Sequence, residues 1–88
     1  MFVANKKLTN EWAEITEVNT GNTFLIQNIM NKEVFFCVSE TTPEAETIGG
    51  VLLPYQQLSF KKVNGNMYMR KDWSGNASVC LSIEKVEA

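Results

Sequence analysis

The chain has 88 residues, of which 44% are hydrophobic and 10% aromatic, and its formal net charge is −2 at pH 7. This length corresponds to one domain, the composition excludes a disordered segment, and the charge excludes nucleic acid or anionic lipid as a partner held by general electrostatic attraction. The chain has no histidine and only two cysteines, too few ligands for a zinc site.

The N-terminal segment ends in a polar stretch with two lysines, a threonine and an asparagine. It predicts an arm of residues 1–10 in front of a single domain of residues 11–88. Residues 11–18 favour a strand, because they contain β-branched residues and a turn follows them, although Asn10 is also a good N-cap for a short helix.

Two strands are predicted at residues 23–30 and 33–40, where β-branched and aromatic side chains dominate. Asparagine and glycine at 19–22 predict the turn before the first strand, and residues 31–32 predict the tight turn between the two. The second strand alternates between two sets of side chains: Val34, Phe36 and Val38 against Phe35, Cys37 and Ser39.

Residues 41–50 predict an acidic loop, and a loop of this length often makes contacts of its own. A short strand at 51–53 follows, and Pro54 marks a sheet edge or a turn because proline has no N–H to donate. Residues 57–63 predict the next strand.

Residues 67–71 and 77–86 predict a final hairpin around the turn at 72–76. In the last strand, Val79 and Leu81 fall on the same face, opposite to two serines and a cysteine. The spacing of the strands, with one apolar and one polar face, predicts an all-β fold: a small antiparallel β-sandwich or barrel of about seven short strands.

The residue types argue against catalysis. General acid–base chemistry uses groups that titrate near neutrality, whereas this chain has no histidine and one aspartate, Asp72, in a predicted turn. Cys37 and Cys80 have no basic neighbour in sequence that would activate a thiolate. We therefore expect no enzyme activity, no cofactor and no metal. The two cysteines are expected to be buried or half-buried thiols, and whether they pair stays open.

Trp73 is the best candidate for a ligand-stacking aromatic, because it lies in the predicted turn Asp-Trp-Ser-Gly-Asn. Sugar stacking has two structural alternatives: Trp73 caps one end of the sandwich, or it is buried against a neighbouring subunit. The basic residues Lys61, Lys62, Arg70 and Lys71 fit a solvated sheet edge better than a nucleic-acid site.

Short segments also carry a family resemblance. They read F-L-I-Q-N at 24–28, V-F-F-C-V-S at 34–39, G-V-L-L-P at 50–54 and M-Y-M-R at 67–70. Their order resembles small β-sandwich structural proteins of tailed-bacteriophage virions, of the capsid-decoration, head-fibre or tail-attachment type. The chain departs from that pattern after Pro54, where a glycine is common and this sequence has Tyr55.

The resemblance implies a non-catalytic virion protein, assembled in the host cytoplasm, that binds capsid or tail proteins as a homo-oligomer, with a trimer favoured. The first residues do not have the charged-then-apolar layout of a signal peptide, and no apolar run reaches the length of a membrane span, which agrees with this expectation. The alternatives are a carbohydrate- or receptor-binding module, using Trp73 and the 41–50 loop, and a small inhibitor or accessory protein that binds one enzyme. The side chains expected to make contacts are Phe35, Tyr55, Met67, Met69 and Trp73.

Overall fold

The computed structural model of the protein describes residues 2–18, 21–62 and 65–85. All strand pairings are antiparallel. The strands are β1 (Phe2–Leu8), β2 (Ala13–Glu14), β3 (Thr23–Asn28), β4 (Val34–Ser39), β5 (Gly50–Leu52), β6 (Gln57–Lys61), β7 (Asn66–Arg70) and β8 (Ala77–Lys85). No helix occurs in these ranges, and so none that could cross a membrane.

The strands form two four-stranded sheets. Sheet A has the order β1-β8-β3-β6, and sheet B has the order β2-β7-β4-β5. This is the strand order of an eight-stranded jelly roll, in which two Greek keys fold into a double sheet. The predicted β-sandwich is confirmed, with eight strands instead of about seven. Only β4 and β5 are both consecutive in the chain and paired in one sheet, so every other connection crosses between the sheets.

The core lies between the two sheets, and each sheet supplies one face of it. Strand β3 shows the alternation most clearly, because every second side chain from Phe24 to Asn28 is buried. Burial of one aliphatic or aromatic side chain contributes about 1.5–3 kcal/mol. The strand residues of the core are Leu8, Phe24, Ile26, Val34, Leu52, Met67, Met69, Ala77, Val79 and Leu81.

The predicted final hairpin is wrong, because β7 belongs to sheet B and β8 to sheet A. Strand β8 pairs instead with β1 on one side and β3 on the other. The alternation itself was predicted correctly, since Val79 and Leu81 are fully buried. Alternation defines which face of a strand is apolar, but strands that pair and strands that face each other across a core show the same pattern.

The predicted N-terminal arm is also wrong for Phe2–Leu8, which forms the seven-residue edge strand β1. Backbone pairing with β8 holds this strand, Val3 packs against the core, and Leu8 is 1% exposed. Its lysines do not oppose strand formation, because an edge strand keeps one side in solvent and lysine there deters pairing with other chains. Of the strand predicted at 11–18, only β2 is regular.

Strands β3 and β4 are close in sequence but lie in opposite sheets. The side chain of Asn28 stabilises the segment that connects them. Its side-chain Nδ2 donates to the carbonyl oxygens of Lys32 at 2.8 Å and of Leu52 and Leu53 at 3.2 Å each. Its Oδ1 accepts from the backbone N–H of Met30 at 2.9 Å. Because Asn28 is fully buried, these bonds satisfy an amide that would otherwise destabilise the core.

Candidate binding surface

The outer face of sheet B carries a row of large side chains that are not part of the main core. Because Met67 and Met69 of β7 point into the core, the alternate residue Arg70 points outward. Arg70 is opposite Phe35 of β4, and Phe35 is opposite Val51 of β5. The row therefore runs across three adjacent strands.

Trp12 extends this row beyond Arg70. The Arg70 guanidinium carbon lies 5.1 Å from the centre of the Trp12 ring and 5.7 Å from the centre of the Phe35 ring. Such cation–π contacts stabilise a guanidinium between aromatic rings. Trp12 is 8% exposed, so this part of the outer face is covered.

The covering segment is the 40–49 loop, which connects β4 to β5. A Cβ at Gly49 would lie 3.1 Å from the Trp12 ring and 2.4 Å from the carbonyl oxygen of Phe36, and Gly49 has a φ of +68°. Glycine fits this position because it has no Cβ and adopts positive φ without strain. The loop thus rests directly against the Trp12 ring.

A cavity of about 280 Å³ remains between this loop and the sheet. Loop residues form one wall, and the segment before β2 together with the end of β7 forms the other. Polar and apolar groups share the lining, which consists of Asn10, Glu11, Trp12, Thr42, Pro43, Ala45 and Arg70.

Two residues that line this cavity each have a buried N–H donor that is unsatisfied. Within the described ranges, neither Trp12 Nε1 nor Arg70 Nε has a hydrogen-bond acceptor. A buried donor without an acceptor lowers the stability of the folded state by about 1–3 kcal/mol, so such atoms are uncommon in folded proteins. Arg70 is the one arginine of the chain, and the ion pairs that the structure describes, Lys6–Glu17 and Lys62–Glu14, do not include it.

A second feature, the β5 patch, consists of four exposed hydrophobic side chains along the edge strand β5 and its flanks. They are Ile48 (75% exposed), Val51 (46%), Leu53 (56%) and Tyr55 (61%). Scattered exposed apolar residues are ordinary on a protein surface, whereas a cluster within eight residues of sequence at a sheet edge is typical of contact sites. The patch adjoins the row described above through Val51.

Tyr55 is held at the tip of this patch by a strained turn. The backbone N–H of Gln56 donates to the carbonyl of Leu53 at 3.0 Å, which closes a turn with Pro54 and Tyr55 at its centre. The φ of Tyr55 is +61°, a conformation that favours glycine and is unusual for a large side chain. Of the two interpretations predicted for Pro54, a sheet edge or a turn, both hold, because β5 is an edge strand and Pro54 lies in the turn that follows it. This turn exposes an aromatic ring where a glycine would be easier to accommodate.

The predicted contact residues divide between the surface and the core. Phe35 and Tyr55 lie on the outer row and the β5 patch, respectively. Met67 and Met69 are 1% and 0% exposed, so the prediction that they contact a partner is wrong. These methionines fill the core between the sheets, where a flexible thioether side chain packs well.

Trp73 closes one end of the molecule instead of standing free in a turn. Its ring packs against the core, and its Nε1 donates to the carbonyl of Glu33 at 2.8 Å. Lys71, 6% exposed, donates from Nζ to the carbonyl of Trp73 at 2.6 Å and to Oδ1 of Asn10 at 2.7 Å. This geometry corresponds to the capping alternative for Trp73, and Trp73 does not line the cavity.

Sequence reasoning missed Trp12 and Arg70 as partners in a site. The available signals were the single arginine and its alternation with the core methionines, but the neighbours of Arg70 depend on sheet order. The cysteines are half-buried, as expected, and they are not paired with each other: Cys37 lies in sheet B and Cys80 in sheet A. The described residues hold no cluster of three or more His, Cys, Asp or Glu side chains that could bind a metal.

No protein family, curated protein or solved structure matches the chain.

Proposed function

We propose that this protein is a non-catalytic structural module that assembles into a homo-oligomer through the β5 patch and attaches to capsid or tail proteins of a tailed-phage virion. The observation that carries the proposal is the β5 patch itself. An edge strand offers unpaired backbone groups, and exposed apolar side chains beside it add area that is stabilised by burial. A second copy of the chain is the occupant that best matches a patch with no formal charge of its own.

The fold supports the virion part of the proposal by analogy. Double-sheet jelly rolls serve in viral capsid proteins and in lectins, and this strand order is theirs. Fold alone does not determine function, so the analogy carries less weight than the patch. Together with the sequence resemblance, it makes a capsid or tail protein the preferred second partner.

Light scattering after size exclusion tests the assembly step. We expect the wild-type chain to elute as an oligomer, with a trimer favoured, and Leu53→Asp to elute as a monomer because the new carboxylate opposes burial of the patch. Phe2→Asp is the matched control: Phe2 is 61% exposed on β1 in the other sheet, and this variant should keep the oligomer. A wild-type monomer at high protein concentration would contradict the proposal.

A carbohydrate- or receptor-binding role is the second candidate, and the cavity under the 40–49 loop favours it. The sugar would then be bound by the polar side chains of this cavity instead of stacking on Trp73, whose ring packs against the core and lies 5.5 Å from Lys32 Nζ. A glycan array probed with the wild type and with Trp12→Leu tests this role, because binding that is equal in the two proteins excludes the cavity. A role as an enzyme inhibitor has no specific support among these features.

A further inference from the structure

We propose that Tyr55 of one copy of the chain inserts its ring into the cavity between the 40–49 loop and sheet B of the next copy. This contact rests on the proposed function, because it specifies how copies that meet at the β5 patch are joined. Each copy provides one ring and one cavity, and the cavity is filled only when a second copy supplies its tyrosine.

The turn that presents Tyr55 is held in place by hydrogen bonds. The backbone N–H of Leu53 donates to Oε1 of Gln56 at 2.8 Å. Nε2 of Gln27 donates to the carbonyl of Tyr55 at 3.2 Å. Nδ2 of Asn28 donates to the carbonyl of Leu53 at 3.2 Å. A side chain on a turn that is fixed before binding loses less conformational entropy in the complex.

The backbone conformation of Tyr55 indicates a role for its ring. A φ of +61° is one that glycine adopts without strain, yet the position carries a tyrosine that is 61% exposed. Residues in strained conformations cluster at functional sites, and tyrosine is among the residues that contribute most to the stability of protein interfaces. The strain is therefore explained if the phenol ring makes a contact with a partner.

The cavity suits a single neutral ring. Its volume of about 280 Å³ is near the lower end of ligand pockets, which begin at about 300 Å³. Glu11 and Arg70 both line it, so their formal charges cancel and a neutral group is favoured over a charged one. The other lining residues are partly apolar, such as Pro43 and Ala45, and partly polar. This mixture matches a phenol, which has an apolar ring and a hydroxyl group that both donates and accepts.

Tyr55 and the cavity lie toward opposite edges of sheet B. Tyr55 follows β5 at one edge, whereas Arg70 ends β7 and Trp12 precedes β2 at the other. Strands of a sheet are about 4.8 Å apart, so about 10–14 Å separates β5 from β7 and β2. The β5 patch reaches the 40–49 loop at Ile48, which joins the two surfaces. A contact between unlike surfaces is heterologous and closes into a ring when the rotation between copies permits, which agrees with the trimer that we expect.

Tyr55→Gly tests the inserted ring by light scattering after size exclusion. We expect a monomer at concentrations where the wild type is an oligomer. Glycine also relieves the strain at a φ of +61°, so the urea midpoint below the concentration of assembly should stay close to that of the wild type. Phe2→Gly is the matched control, because it removes a ring that is equally exposed, at 61%, from sheet A and should keep the oligomer.

Ala45→Phe tests the cavity. The new ring belongs to the same copy and occupies the space that the partner's tyrosine needs, so this variant should also be a monomer. Thr41→Phe is its control: Thr41 is an exposed residue of the same loop that does not line the cavity, and the oligomer should persist.

Photo-cross-linking identifies the contact in the assembled protein. Tyr55→p-azidophenylalanine keeps a ring of similar size and should give covalent dimers on irradiation. We expect mass spectrometry of a mixed ¹⁴N and ¹⁵N sample to join position 55 of one copy to residues 10–12 or 42–45 of another.

The outcomes separate the inserted ring from the proposed function. A wild-type monomer at high concentration contradicts both. A wild-type oligomer that persists in Tyr55→Gly overturns the inserted ring and leaves assembly through the β5 patch in place. Cross-links from position 55 to residues 48–55 of another copy would show two patches packed on each other, and they would overturn the inserted ring in the same way, as would an oligomer that gives no cross-link.

Discussion

At the scale of single residues, Asn28 connects the two sheets through the hydrogen bonds of its side chain. One buried amide joins the end of β3 to the turn before β4 and to the end of β5, through three carbonyl acceptors and one backbone donor. The backbone N–H of Asn28 also donates to the carbonyl of Gln56 at 3.0 Å.

We predict that Asn28→Asp lowers the free energy of unfolding by about 3 kcal/mol or more. Aspartate has nearly the same shape, but its ionised carboxylate has no donors and would face three carbonyl oxygens in a dry site. Urea denaturation gives this difference as a shift of the midpoint at an unchanged slope. Asn31→Asp is the control, because Asn31 is exposed and the same change there should stay within about 0.5 kcal/mol. Equal losses in the two variants would contradict the role of Asn28.

At the scale of secondary structure, the N-terminal residues belong to the folded domain because β1 pairs with β8 and buries Leu8 in the core. Leu8→Ala should lower the free energy of unfolding by about 2–4 kcal/mol, because Leu8 is 1% exposed and its removal leaves a cavity in the core. Leu53→Ala, the same change at a side chain that is 56% exposed, should stay within about 1 kcal/mol. Chemical denaturation of the two variants measures both values. A negligible effect of Leu8→Ala would restore the interpretation of this segment as an arm.

The strands and turns were largely predictable from the sequence, and their arrangement was not. Alternation over residues 33–40 and 77–83 identified the apolar faces of β4 and β8, and the turn signals at residues 31–32 and at Pro54 lie between strands of the structure. The turns predicted at 19–22 and 64–66 lie partly outside the described residues. Strand order depends on contacts between distant segments, so a short connection such as residues 71–76 can lead to a neighbouring strand or to the opposite sheet. For the same reason the contacts of Arg70 could not be predicted from the sequence, because Arg70 lies between Trp12 and Phe35 only when β7 is paired with β4.

At the scale of the whole molecule, the topology places almost all pairings between segments that are distant in sequence. The first described strand, β1, pairs with the last, β8, and β3 pairs with β6 and β8. Only the β4–β5 hairpin joins consecutive strands. Closing long loops costs entropy before the contacts form, so sandwiches of this kind fold slowly for their size.

We therefore predict that the chain folds on a scale of about milliseconds to seconds, in one cooperative phase. Trp12 lies on the outer face of sheet B and Trp73 at the end of the core, so the two indoles report on different parts of the molecule. Stopped-flow fluorescence of Trp12→Phe and of Trp73→Phe should each give the same rate constant as far-UV circular dichroism of that variant, at a concentration below oligomerisation. A fast first phase seen only with Trp12 present would indicate that sheet B forms on its own. That result would contradict the prediction, because two strands of sheet A, β3 and β6, lie between β2 and β7 along the chain. Sheet B therefore cannot be completed from segments that are consecutive in sequence.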